Sequence, residues 1–114
     1  MILHIDDDIC FLRVIPHMLK MQNIKVDTVN QVGDAKNWLT ENTDCDVIIL
    51  NLHMRDGEGL EMLNWLESQS HKATIIILDN PNRDNYQDIQ KAHNYTVLSV
   101  PFNGEDLLKI LQKP

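Results

Sequence analysis

Apolar and polar positions alternate along this chain in a pattern that predicts five strands, each followed by a helix. The apolar runs are short, which is typical of strands that are buried on both faces. They lie at residues 2–5, 24–29, 47–50, 74–78 and 95–100. Since strand–helix units of about twenty residues form right-handed crossovers, the pattern predicts an α/β fold, a five-stranded parallel sheet with helices on both faces.

The intervals between the runs show the spacing of helices with one apolar side. Asp8 is placed to cap the first helix and Asn103 to cap the last, whereas Pro16 predicts a kink or a break inside the first. The second helix is expected over residues 30–42 and the fourth over residues 82–94. The residues predicted to face the core are Phe11, Leu12, Ile15, Met18 and Leu19; Val32, Ala35, Trp38 and Leu39; Leu60, Met62, Leu63 and Leu66; Tyr86, Ile89 and Ala92; and Leu107, Leu108 and Leu111.

Length, charge and cysteine content limit the classes of function that this chain can have. The 114 residues form one domain, residues 1–114, with a single core. A net charge of −7 and ten scattered basic residues argue against nucleic-acid binding by this domain, because phosphate contacts need clustered Lys and Arg. Cys10 and Cys45 lack CxxC spacing and are expected as reduced thiols. No apolar stretch suits a signal peptide or a membrane span, so a cytoplasmic location and no membrane contact are expected.

Candidate chemistry lies where strands end. In open α/β sheets, ligands bind at the carboxyl ends of the strands, and there this chain places Asp6 and Asp7 after the first strand and Asn51 after the third. Of the five histidines, His4 is expected as a hydrogen-bonded core residue, and His53 is the one to test as a metal ligand. Asn51 has no supporting triad for hydrolysis.

Three motifs carry a resemblance to a known family. They are Asp6-Asp7 after the first strand, Met54-Arg-Asp-Gly-Glu-Gly-Leu-Glu61, and Val100-Pro101-Phe102. In this order and spacing they resemble the receiver domain of bacterial two-component response regulators. That family carries an acidic pair, a Met-Pro-x-x-Asp-Gly-x-Glu segment and Lys-Pro-Phe at these places. The resemblance covers essentially the whole chain and implies the flavodoxin-like receiver fold.

The departures from the family pattern bear on function. The phosphoacceptor aspartate of the family falls on Asn51, whose amide oxygen is a very poor nucleophile. Its lysine falls on Val100, and its hydroxyl residue falls on Asp79, or on Leu78 if the register slips by one. None of these residues can pair with an acyl phosphate as the family residues do. The combined pattern favours a natural pseudo-receiver over an Asp-to-Asn variant made at position 51.

The resemblance also implies a cation site. Asp6 and Asp7, with the main-chain carbonyl of His53, would hold Mg²⁺ through hard oxygen ligands. Asn51 removes one anionic ligand from that set, while Val100 removes the counter-charge to the acidic pair. We therefore expect no required cofactor. A weak Mg²⁺ site is left open, and plain solvated carboxylates are favoured.

The function expected from the resemblance is signalling through protein contacts. The family uses its fourth helix, fifth strand and fifth helix for partner and dimer contacts, where this chain carries Tyr95, Val97 and Phe102. The first hypothesis is a phosphorylation-independent receiver-like interaction module, not an enzyme, that contacts a protein partner, an output domain or a second copy. The alternative is a phosphoacceptor receiver domain seen as an Asp-to-Asn variant at Asn51. A small-molecule-binding domain is a third possibility, and it would need a pocket.

Overall fold

A computed structural model describes residues 1–79, 95–99 and 102–112 of the chain. Its strands are β1 (Ile2–Ile5), β2 (Val26–Val29), β3 (Val47–Asn51), β4 (Thr74–Asp79) and β5 (Thr96–Ser99). Its helices are α1 (Ile9–Met21), α2 (Val32–Glu41), α3 (Glu58–Glu67) and α4 (Gly104–Gln112), with a 3-10 turn at Arg55–Gly57 before α3. The fourth helix predicted from the sequence, over residues 82–94 with Tyr86, Ile89 and Ala92, lies outside the described residues. The label α4 therefore refers to the helix that was predicted as the fifth.

The strands form one sheet in the order β2-β1-β3-β4-β5, and every neighbouring pair is parallel. The predicted α/β fold is therefore confirmed. β2 begins at Val26 and not at Ile24, and β4 extends to Asp79. Because the strands are parallel, the carboxyl ends of β1, β3 and β4 lie side by side in the middle of the sheet.

Two apolar clusters, one on each side of the sheet, make up the core. The α2/α3 cluster includes Leu3, Ile5, Val32, Ala35, Ile48, Leu50, Met62, Leu63, Leu66, Ile75 and Ile77. The α1/α4 cluster consists of Ile15, Leu19, Ile49, Ile76, Leu78, Leu98 and Leu107. Alternate residues of β3 and β4 thus face opposite clusters, as the two-residue period of a strand requires. This confirms helices on both faces.

The ends of α1 and α4 follow from side-chain caps. Asp8 precedes α1, and its Oδ1 accepts hydrogen bonds from the main-chain nitrogens of Cys10 at 2.8 Å and Phe11 at 3.1 Å. Asn103 does the same for α4, because its Oδ1 accepts from the nitrogen of Asp106 at 3.0 Å. Both predicted caps are confirmed. Of the kink or break predicted at Pro16, the break does not occur, since α1 continues from Ile9 to Met21 through that residue.

One predicted core residue of α3 is wrong. Leu60 is 46% exposed, whereas Gly59 is buried together with Met62, Leu63 and Leu66. A Cβ at Gly59 would lie 2.2 Å from the main-chain oxygen of Leu52, so only glycine allows α3 to start this close to the end of β3. Glycine has no apolar side chain to mark it as a core residue. The sequence pattern therefore assigned its position on the core-facing side of α3 to the neighbouring leucine.

Candidate functional site at the carboxyl edge of the sheet

Buried polar side chains gather at one edge of the sheet. Among the described residues, the buried polar or charged ones are His4, Asp6, Asn51 and Asp79, with exposed fractions of 0%, 0%, 8% and 1%. Asp6 directly follows β1, Asn51 ends β3 and Asp79 ends β4. Burying polar groups is costly unless they are hydrogen-bonded, so their partners define what this edge can do.

Asp6 is the centre of this arrangement. Its Oδ1 accepts hydrogen bonds from the main-chain nitrogen of Asp8 at 2.9 Å and from Nδ2 of Asn51 at 2.8 Å. Its Oδ2 lies 3.0 Å from Nε2 of His4. Three donors from three parts of the chain thus surround a carboxylate that has no exposed surface. An ionised carboxylate only accepts hydrogen bonds, so all three contacts suit its charged form.

Asn51 joins Asp6 to the loop after β3. While its Nδ2 donates to Asp6, its Oδ1 accepts a hydrogen bond from the main-chain nitrogen of His53 at 2.9 Å. The two partners fix the orientation of the amide, because a carboxylate only accepts and a main-chain N–H only donates. At this position the chain therefore has a neutral hydrogen-bonded bridge and no anionic nucleophile.

His4 lies inside the sheet, next to Asp6. Its ring is completely buried, which confirms the prediction of a hydrogen-bonded core histidine. Since a carboxylate only accepts, Nε2 donates to Asp6. Nδ1 has no hydrogen-bond partner within the described residues. An unsatisfied buried polar atom costs about 1–3 kcal/mol, which the contact with Asp6 has to offset.

The ring of His53, the histidine named above as the one to test as a metal ligand, contacts an aspartate. Its Nε2 contacts Oδ1 of Asp79 at the end of β4. The His53 side chain is 28% exposed, whereas that of Asp79 is 1% exposed. The pair therefore links the β3–α3 loop to the end of β4, with the histidine on the solvent side.

Asp7 is only partly buried and belongs to the rim of the site. Its Oδ2 accepts a hydrogen bond from the main-chain nitrogen of Arg55 at 2.9 Å. That contact holds the 3-10 turn, in which Asp56 has a φ of 55° and Gly57 a φ of 72°. These left-handed conformations are the reason for a glycine and an aspartate at the turn. Asp7 thus fixes a loop in this arrangement.

The predicted degenerate positions fall in different surroundings. Leu78 is buried in the α1/α4 cluster and pairs with Asn51 across the sheet, while Asp79 turns to His53. It is therefore Asp79, and not Leu78, that brings a polar group to this edge. Val100, at the lysine position of the family, lies outside the described residues.

The predicted interface residues do not form one patch. Tyr95 and Val97 are half-buried against the α2/α3 cluster, whereas Phe102 packs on the other side of the sheet. There its ring stacks on that of Phe11, with centroids 5.9 Å apart. Burial, and then the negative charge of Glu67, raise the pKa of the Tyr95 phenol above its usual value.

A cavity of about 240 Å³ lies at the opposite edge of the sheet, between the ends of α2 and α3. Leu39, Cys45 and Trp65 are among its lining residues, and burial raises the pKa of the Cys45 thiol. It is smaller than the roughly 300–1,000 Å³ of most ligand pockets. It also contains none of the polar residues of the carboxyl edge, so it is unrelated to that site.

The donor set does not fit a hydrated Mg²⁺ ion as it is arranged. Such an ion needs octahedral oxygen ligands at close range. Asp6 is enclosed by three donors, Asp7 holds the nitrogen of Arg55, and Oδ1 of Asn51 holds the nitrogen of His53. In the part of the chain that the structure describes, no group of three or more His, Cys, Asp or Glu residues is placed to hold a metal ion. A cation would have to break these hydrogen bonds first.

Sequence reasoning found the residues of this site but missed their pairing. Neither the bond from Asn51 to Asp6 nor the contact of His53 with Asp79 was predicted. The available signal was position, since polar residues that end neighbouring parallel strands meet at one edge. Which side chains then bond depends on the turn after β3, which no sequence pattern specifies.

An α/β sheet with acidic residues at the carboxyl ends of its central strands places this chain among flavodoxin-like domains, and comparison with known proteins specifies the family. Residues 2–112 match the model of the response regulator receiver domain. The chain therefore belongs to the receiver-domain family of response regulators. These domains are modules of two-component signalling.

Individual relatives agree with this assignment. The chain is 36% identical over 80 residues to the two-component response regulator ORR23 of Oryza sativa, a match that covers 69% of this chain and 12% of that protein. The chain thus matches only a small part of the length of that relative. Among solved structures, it is similar to the chemotaxis protein CheY4 of Vibrio cholerae, with a TM-score of 0.83, 29% identity and coverage of 97% and 94% of the two chains.

A two-component response regulator from Clostridium difficile has the same fold, with a TM-score of 0.81, 24% identity and coverage of 97% and 91%. At that identity the likeness speaks for the fold alone. In the described ranges of the chain, no helix has the length and apolar character needed to cross a bilayer.

Proposed function

We propose that this domain is a receiver-like signalling and protein-interaction module of a bacterial regulatory protein that works without phosphorylation of its own chain. The observation that carries the proposal is the side chain of Asn51. Its amide lies at the end of β3, 8% exposed, and both of its polar atoms are used within the protein. Phosphoryl transfer to this position would need an anionic oxygen as nucleophile, and the amide offers none.

The surroundings of Asn51 support the same function. The carboxylate of Asp6 is fully buried and accepts three hydrogen bonds, so it is not presented to a phosphodonor. Asp79, one of the two residues on which the hydroxyl position of the family falls, is a buried carboxylate paired with His53. Like charges about 4 Å apart repel by roughly 4 kcal/mol in a partly buried site, so Asp79 would oppose a phosphoryl group bound there.

The proposed module acts by contact and catalyses no reaction of its own. Its partner would be a protein or an output domain, in the cytoplasm, with homodimerisation through the predicted fourth helix (residues 82–94), β5 and α4 as one form. β5 is an edge strand of the sheet, and Val97 on it and Tyr95 just before it are half-buried, which leaves apolar surface for a partner. A partner-dependent change of state would replace the phosphorylation-dependent one.

The alternative is a phosphoacceptor domain in which asparagine replaces a natural aspartate at position 51. The presence of Asp6 and Asp7 favours it, since an acidic pair at this edge is what a cation-assisted transfer would use. A single substitution would not account for Asp79 and Val100. The two functions differ in what the chain does with a phosphodonor.

The test is incubation with Mg²⁺ and a small phosphodonor, followed by intact-mass measurement of the native chain and of Asn51→Asp. We expect no adduct on the native chain. A phosphoryl adduct that hydroxylamine removes, as it removes acyl phosphates, would contradict the proposal if it formed on the native chain. An adduct on Asn51→Asp alone would favour the alternative, because it would show that residue 51 by itself blocks the reaction.

A further inference from the structure

We propose that hydrogen bonds within the chain replace a cation at Asp6, so that this domain neither needs nor binds Mg²⁺ at its acidic edge. The proposal rests on the proposed function in one respect, since it takes Asn51 as the native residue. The two can fail independently, because a chain that is never phosphorylated could still bind Mg²⁺.

The first step is the compensation of the Asp6 charge. A buried carboxylate is stable when several donors bond it, and here Oδ1 has two and Oδ2 has one. All three donors belong to the chain: a ring nitrogen of His4, the nitrogen of Asp8 and the amide of Asn51. In a site that binds a cation, the ion would supply this positive potential. Here the protein supplies it without an ion.

The second step is the role of the amide at position 51. Nδ2 of Asn51 lies 2.8 Å from Oδ1 of Asp6. A carboxylate in the same place would present an oxygen to that oxygen, and two carboxylates at such a distance cannot both stay ionised without a cation or a proton between them. Asparagine converts this repulsion into a hydrogen bond. The substitution therefore changes the electrostatics of Asp6 as well as removing a nucleophile.

The third step is the rim of the site. Asp7 holds the nitrogen of Arg55 at 2.9 Å, and Oδ1 of Asn51 holds the nitrogen of His53 at 2.9 Å. The ring of His53 is directed to Asp79. Two oxygens that could face an entering ion, Oδ2 of Asp7 and Oδ1 of Asn51, are thus occupied by contacts that also fix the loop after β3. Ion entry would cost those contacts as well as the bonds to Asp6.

The experiment is thermal unfolding of the native chain and of Asn51→Asp, each in EDTA and in millimolar MgCl₂. The native chain should give the same Tm in both. Asn51→Asp should unfold at least about 5 °C lower in EDTA and regain most of that in MgCl₂, because an ion that binds only the folded state raises Tm by mass action. The control is Asn23→Asp, which makes the same change at an exposed position. Its Tm should not respond to Mg²⁺.

Direct binding makes the test independent of the variant. In Mn²⁺ titrations followed by electron paramagnetic resonance, the native chain should leave the ion free, and Asn51→Asp should bind it. Saturable binding of one Mn²⁺ to the native chain, or a Tm of the native chain that rises in MgCl₂ while that of Asp7→Ala, which lacks one carboxylate of the acidic edge, does not, would overturn the proposal. So would an Asn51→Asp chain that is as stable in EDTA as the native one. If Asn51→Asp does not fold, the titration of the native chain decides alone.

Discussion

Two histidine–aspartate pairs lie at the same edge of this sheet, and they differ in their access to solvent. In the inner pair, His4 and Asp6 are both completely buried. In the outer pair, Asp79 is buried but the His53 side chain is 28% exposed. The same two residue types therefore serve a closed network in one case and a link at the surface in the other.

The partners of Asp6 account for the closed character of the inner pair. Asp6 accepts from a side-chain amide, a main-chain nitrogen and an imidazole, which together join β1, α1 and β3. His53 ties one loop to the end of one strand, and water can reach its ring. A buried network is costly to disturb when one member is removed, because the others keep their desolvation cost without their bonds. The inner pair should therefore dominate stability.

The largest expected effect is that of Asp6→Ala. It removes the acceptor of three donors, two of them on buried side chains, and should lower the free energy of unfolding by about 3–5 kcal/mol. Urea unfolding followed by circular dichroism measures it. The matched control is Asp7→Ala, one residue along, which loses one contact of a partly exposed carboxylate and should cost less than about 1 kcal/mol. Equal losses for the two variants would mean that the inner network does not differ from the rim.

The two histidines give a smaller and more direct contrast. His4→Leu replaces a buried ring by an apolar side chain and leaves Oδ2 of Asp6 without its donor, so we expect a loss of about 1–3 kcal/mol. His53→Leu should cost less than His4→Leu, since the ring that it removes is 28% exposed and lies on the solvent side of the pair. Both are measured by the same urea titration. A larger loss for His53→Leu than for His4→Leu would reverse the comparison.

Much of the fold could be predicted because it depends on local patterns. The strands around Ile2–Ile5 and Val47–Asn51 are short apolar runs, and the caps at Asp8 and Asn103 are polar residues before helical spacing. The prediction that Leu60 faces the core was wrong for a physical reason. The inward phase of α3 is set by the close approach of Gly59 to the main chain of Leu52, which depends on tertiary structure.

The sequence predicted where the polar side chains of the site lie, but not which of them bond to each other. The ends of β1 and β3 are adjacent in any sheet of this order, so Asp6 and Asn51 could be expected near each other. The direction of the His53 ring could not, because it follows from the turn at Arg55–Gly57, with its two left-handed residues. Likewise Phe102 packs on Phe11, away from Tyr95 and Val97, because it follows β5 on the other side of the sheet.

The central claim is that Asn51 is a structural donor to a buried carboxylate, and hydrogen exchange of its side-chain amide tests this most directly. In ¹⁵N-resolved spectra of the native chain in deuterated buffer, the Nδ2 protons of Asn51 should exchange far more slowly than those of the exposed Asn37 and Asn64. Addition of MgCl₂ should leave their shifts unchanged. Exchange as fast as at the exposed asparagines, or a shift that titrates with Mg²⁺, would contradict the account.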